Sequence, residues 1–209
     1  MKLWFAGACA AAWFAAAMPI GAQAPQRIDG IAAVVNDQVY TEAFVRAVRD
    51  LRLVDAAARV SDAAATRAVV ERRLILDEIV RFAVPEPSAA AVDERRQQWA
   101  ATLPAGFDQA SALERRGLTQ DDLIAWFKED VRIEAYLNRL FMASAQPTTA
   151  EIADYVRLHA AALATGTDGS PGALEAAAKA QLARDNRQVR IRDWIDGLKR
   201  RADITIKIK

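Results

Sequence analysis

The side chains that could do chemistry are few and mostly paired: Asp121-Asp122, Glu129-Asp130 and a lone His159. Paired carboxylates are the usual equipment for general acid–base work. Neighbouring residues on a helix do not face each other, however, so Glu129 and Asp130 cannot share a proton across a cleft. Asp121 and Asp122 follow Thr119, and the Thr119-x-x-Asp122 spacing resembles a capping box with Asp in place of the usual Glu. There they complement the positive end of a helix dipole. His159 has the chemistry of a pH sensor or a metal ligand. It is the only histidine and Cys9 the only cysteine, which excludes a multi-histidine zinc centre and a Ser-His-Asp triad built around any other histidine. His159 is therefore expected as a solvated or half-buried helix residue. No catalytic residue, metal ligand or cofactor site is assigned.

Totals narrow the partners. The chain has 209 residues, 28 basic and 27 acidic. Lys2 is the one charge among residues 1–26, so the remainder carries 27 of each sign. That balance argues against a nucleic-acid binder, which carries a basic surplus. Residues 1–24, MKLWFAGACAAAWFAAAMPIGAQA, have the charged start, apolar middle and small-x-small end of an export signal. Cleavage after Ala24 leaves Pro25 first, which the peptidase tolerates poorly; cleavage after Ala22 is an alternative. Retention is the third outcome, because residues 3–20 are just long enough to span a bilayer. Ala6-Gly7-Ala8 before Cys9 is no lipobox. Either way the bulk of the chain is expected outside the cytoplasm, in the periplasm, and a mature form without thiols fits an oxidising compartment.

The elements that must position these residues are mainly helices. The central one is expected over residues 66–84, TRAVVERRLILDEIVRFAV. Its apolar residues form three rows: Val70 with Leu74; Ile75, Ile79 and Phe82; Val69, Leu76 and Val80. A helix apolar on most of its circumference is buried against more than one neighbour. Arg67, Glu71, Glu78 and Arg81 leave it a narrow wet edge. Before it, Ile31 to Val35, the turn pair Asn36-Asp37 and Val39-Tyr40 read as a hairpin. Thr41 then caps a helix carrying Phe44, Val45, Val48, Leu51 and Leu53, and a loop runs to Val60.

After it, Pro85-Glu86-Pro87 stops the helix. Ser88 caps a helix to about Ala101, and a short helix from Phe107 ends at Gly117. A long helix runs from Thr119 to about Met142, and Thr148-x-x-Glu151 opens another to about Leu163. TGTDGSPG, residues 165–172, is a linker, loop or hinge that leaves a domain-swapped homodimer open. A last helix from Ala173 to Arg201 precedes DITIKIK, an alternating strand whose natural partner is the N-terminal strand. The expected fold is mainly α, one domain over residues 27–209 with a core at 27–145. The segment 173–209 docks back, and a small sheet pairs the two chain ends.

Aromatics supply the candidate binding residues: Trp126, Trp99, Phe127 and Tyr136. Trp126 lies about 60° from the helix face centred on Phe127 and Val131, at the edge of the apolar stripe and available to a ligand.

Four stretches resemble the SurA-type periplasmic chaperones, in that family's order, over about residues 28–208. IDGIAAVVNDQVYTEAFV looks like their opening strand, turn and helix. RLILDEIVRFAVPEPSAAAVDE looks like their leucine-rich helix, break and Ser-started helix. FDQASALERRGLTQDDLIAWFKEDVRIEAYL resembles their short helix and long amphipathic helix. WIDGLKRRADITI resembles their closing helix and strand. In that family, parvulin-type prolyl isomerase domains of roughly 90–100 residues follow the helix that starts near Thr148. Only TGTDGSPG and its flanks stand there in this chain, and a parvulin's paired histidines are missing. The resemblance thus implies the chaperone module without the enzyme, binding unfolded outer-membrane or secreted polypeptides without ATP through an apolar groove. Two alternatives stay open: an assembly scaffold anchored in the membrane by an uncleaved signal, and a vestigial prolyl isomerase-family protein.

Overall fold

The computed structural model describes residues 29–143 and 145–207. The expected export signal, residues 1–24, lies outside them. The chain is mainly α, with seven helices and a three-stranded antiparallel sheet among the described residues. β1 (Ile31–Val35) and β2 (Gln38–Thr41) form the expected hairpin, and β3 (Ile204–Ile206) joins the other edge of β1. Val35 pairs with Gln38 on one side and Ile204 on the other. The turn uses Asn36 at φ +51°, a left-handed conformation that Asn tolerates better than most residues. Asn36 also ties the ends together: its N–H donates to Asp203 O at 2.8 Å and its Oδ1 accepts from Asp203 N–H at 3.3 Å.

α1 (Glu42–Asp50) starts at the Thr41 cap, whose hydroxyl accepts from Phe44 N–H at 3.2 Å. It ends sooner than the apolar spacing suggests: Leu51 is the C-cap and Leu53 lies beyond. Arg52 turns left-handed at φ +55°, and Leu53 N–H donates back to Val48 O, a Schellman reversal that keeps both leucines on the core. A 3-10 turn at Ala58–Val60 interrupts the loop, and Ser61 caps α2 (Asp62–Arg81).

α2 is the central helix. It supplies residues to every buried cluster among the described residues: Ala65, Val69, Val70 with Leu74, and Ile75 with Ile79. The two C-terminal members of its rows do not follow, since Val80 is 73% and Phe82 59% exposed. α2 has already stopped at Arg81, where Ala83 turns left-handed at φ +48° and Val84 N–H returns to Ile79 O. The helix thus ends through its own reversal before Pro85 is reached.

α3 (Ala89–Ala100), α4 (Gln109–Arg115) and α5 (Gln120–Phe141) follow with the expected caps: Ser88, Gly117 at φ +67°, and the Thr119/Asp122 box. α6 (Thr149–Ala164) and α7 (Pro171–Lys199) form an antiparallel hairpin around residues 165–170. α6 buries no residue, and its principal packing partner is α7. The C-terminal part of α7 returns to the core, where Ile195 and Leu198 pack on α2 and Lys199 Nζ donates to Glu71 Oε1 at 2.7 Å.

Two outcomes check this architecture. Ile79→Ala, at a site with no exposure, should cost about 2–5 kcal/mol in urea unfolding, whereas Val80→Ala should stay within about 0.5 kcal/mol. In hydrogen exchange, amides of α6 should exchange faster than those of α2, because a two-helix hairpin lacks tertiary support. Equal protection of the two helices would show that another surface covers α6.

Candidate functional site: an aromatic groove braced by Arg72

A groove of about 300 Å³ opens between β2, α1, α2 and α5. β2 contributes Gln38 and Tyr40, two residues apart and therefore on one face of the strand. Phe44 lies one helical turn further on. Tyr40 and Phe44 have ring centroids 5.6 Å apart, and Phe44 and Trp126 6.3 Å apart, giving an aromatic run across the groove. Val69 and Leu76, the third apolar row of α2, form the opposite wall with Arg72 and Arg73, and α5 adds Asp122, Ala125 and Glu129.

Arg72 braces this groove. Its guanidinium carbon sits 3.8 Å from the centre of the Trp126 ring, a cation–π stack. It also donates to Trp126 O at 2.8 Å, to Glu129 Oε2 at 2.9 Å and to Asp130 Oδ1. The pair Glu129-Asp130 therefore holds an arginine. Burial is the main influence on Asp130 and pushes its carboxyl above the ordinary value of 3.8, although the Arg72 charge pulls the other way. Asp122 differs: the Thr119 hydroxyl and N–H donate to it at 2.7 and 2.8 Å and hold its carboxyl below 3.8. That is the capping role expected for it.

Trp126 is buried, at 8% exposure, with its face under Arg72. The expectation of a ring available at the edge of the stripe is corrected in that respect, although Trp126 does line the groove. Trp99, Phe127 and Tyr136 are also buried and lie outside the groove lining. Trp99 Nε1 donates to Leu51 O at 2.7 Å and its ring meets Phe127 at 5.4 Å, which pins α3 and α5 to the end of α1. Tyr136 sits between Phe82 and Trp194 in a second aromatic run, at 6.0 and 5.9 Å. His159 is exposed, lies against Tyr155 with ring centroids 4.3 Å apart and tilted, and occupies a kink in α6. Among the described residues no cluster of metal-ligating side chains occurs, and no helix is long and apolar enough to cross a membrane.

The sequence reading overlooked Tyr40, Phe44, Arg72 and Arg73. A signal for them existed: Arg72 and Arg73 lie beside the Val69–Leu76 row, off the wet edge of α2. An arginine on an apolar row needs a partner across the interface. No protein-family model matches this chain, and no curated protein matches it.

Asp130 gives a test of this geometry. Folded Asp130 binds its proton at higher pH than the unfolded chain does. Its contribution to stability is therefore complete below 3.8 and is lost as pH rises through the folded value. The native chain should thus gain stability relative to Asp130→Asn when urea unfolding is moved from about pH 7 to about pH 4. A relative loss in acid would show that Arg72, not burial, dominates at this carboxylate.

Proposed function

We propose that this chain is an exported, ATP-independent chaperone that binds unfolded outer-membrane or secreted polypeptides through the groove between β2, α2 and α5. The observation carrying the reading is the groove itself: an aromatic run on one side, aliphatic Val69 and Leu76 on the other, open to solvent. The rim charges cancel, Arg72 and Arg73 against Asp122 and Glu129, which favours apolar recognition over electrostatic capture. The four-stretch resemblance to SurA-type chaperones supports the same reading and supplies the client class.

Mechanistically, a client segment displaces water from Tyr40, Phe44 and Leu76, binds weakly and leaves by dissociation. Burial of one large apolar side chain is worth about 1.5–3 kcal/mol, which suits holding without trapping. The reading predicts that the mature chain, at near-stoichiometric amounts, suppresses light scattering when a urea-unfolded outer-membrane β-barrel protein is diluted. Unchanged scattering, with the chain folded by circular dichroism, would overturn it.

A further inference from the structure

The groove borders β2, an edge strand among the described residues, and the hydrogen-bond register shows which groups lie on its outer side. Asn36 N–H donates to Asp203 O and Lys207 N–H to Ala32 O, both at 2.8 Å. The even-numbered residues of β1 therefore bond β3. In an antiparallel ladder the alternate residues, Ala33 and Val35, then bond the other neighbour. Their partners Tyr40 and Gln38 thus turn their main-chain groups inward. Val39, in register with Val34, turns its N–H and C=O outward. Consistent with this, among the described residues the Val39 carbonyl meets only its neighbour's side chain, Gln38 Nε2, at 3.4 Å, and β2 has no strand on that side. The side chains flanking Val39, Gln38 and Tyr40, face the groove.

The outward N–H and C=O of Val39 call for an occupant that offers both an acceptor and a donor. A neutral main chain supplies carbonyl acceptors without placing a charge against Asp122 and Glu129. Its side chains, leaving the strand on alternate faces, can fill the space beside Tyr40 and Phe44.

We propose that the occupant is an extended segment of a non-native polypeptide that adds as a strand to the outer edge of β2. It exchanges main-chain hydrogen bonds with Val39 and lays an apolar side chain between Tyr40, Phe44 and Leu76. The inference rests on the chaperone reading and adds to it a backbone-directed mode that tolerates many sequences.

The probe is a fluorescein-labelled ten-residue peptide alternating Phe and Ser, titrated by anisotropy against the exported full chain. Three changes should each weaken binding about tenfold or more: Val39→Pro, which removes the outward N–H; Ala125→Trp, which fills the groove; and methylation of alternate peptide amides. Leu158→Ser on α6 should leave binding unchanged. If Val39→Pro does not fold, the other two changes decide. Equal affinity for the N-methylated peptide overturns strand addition. A chain that suppresses aggregation but binds no peptide overturns this inference while the chaperone reading stands. A chain that does neither removes both. A dimer in solution that Val39→Pro or Ala125→Trp dissociates would seat a second copy on β2, and also overturns it.

Discussion

Ala33 and Val35 have no solvent exposure because β1 is covered on both edges and on one face. β2 closes one edge, β3 the other, and Val70, Leu74 and Leu198 pack against the strand. This brings residues about 170 positions apart in sequence into one sheet. The cost is the loop-closure entropy of the whole chain, which grows only logarithmically with length. The return is that α7 is held at its C-terminal end, where Ile195 and Leu198 complete the clusters begun by α2. Remove β1 from between its neighbours and both the groove wall at β2 and the seat of α7 go with it.

The second constraint is Arg72. A guanidinium at 12% side-chain exposure is tolerable only with its charge paired and its two terminal nitrogens hydrogen-bonded. Three acceptors on α5 and the face of Trp126 meet that need together. The arrangement fixes the separation of α2 and α5. It also keeps the Trp126 ring from tipping into the space beside Phe44. A leucine at the same position could pack α2 closer to α5 and narrow the groove, so an arginine here favours an open surface over a tighter core.

Much of this architecture was legible because it depends on local chemistry. Thr41, Ser61, Ser88, Thr119 and Thr148 all sit at N-caps, where a side-chain oxygen must meet an orphan N–H; Ser170, expected inside the linker, caps α7, which starts two residues before its expected start. The alternation of DITIKIK has no meaning without a partner strand, which made β3 on β1 the natural pairing. What was not legible turned on tertiary partners. Two of the three left-handed helix ends use Arg52 and Ala83 instead of glycine, so the sequence carried no glycine stop at either, and Pro85 marked the end of α2 a few residues late. Whether Trp126 faces water depended on a side chain from another helix, 54 residues away. Helical periodicity places Trp126 at the edge of a stripe but cannot show Arg72 lying over it. For the same reason the groove escaped notice: its walls come from one strand and three helices, and no single stretch is unusual.

The core closes without the α6–α7 arm, and that bears on how such a chain can vary. Among the described residues, the two buried clusters that include α7 draw on the C-terminal end of that helix, and no cluster draws on α6. The first half of α7 packs on α6, around a tip at residues 165–170 where Gly169 takes φ +75°. Lengthening or replacing that tip disturbs no contact of the groove, whose lining ends at Glu129 in chain order. A surface loop that closes a hairpin outside the core accepts an insertion at small entropic cost. The same independence works in reverse: six residues suffice to close the arm, and every element that builds the sheet, the Arg72 brace and the groove lies outside it.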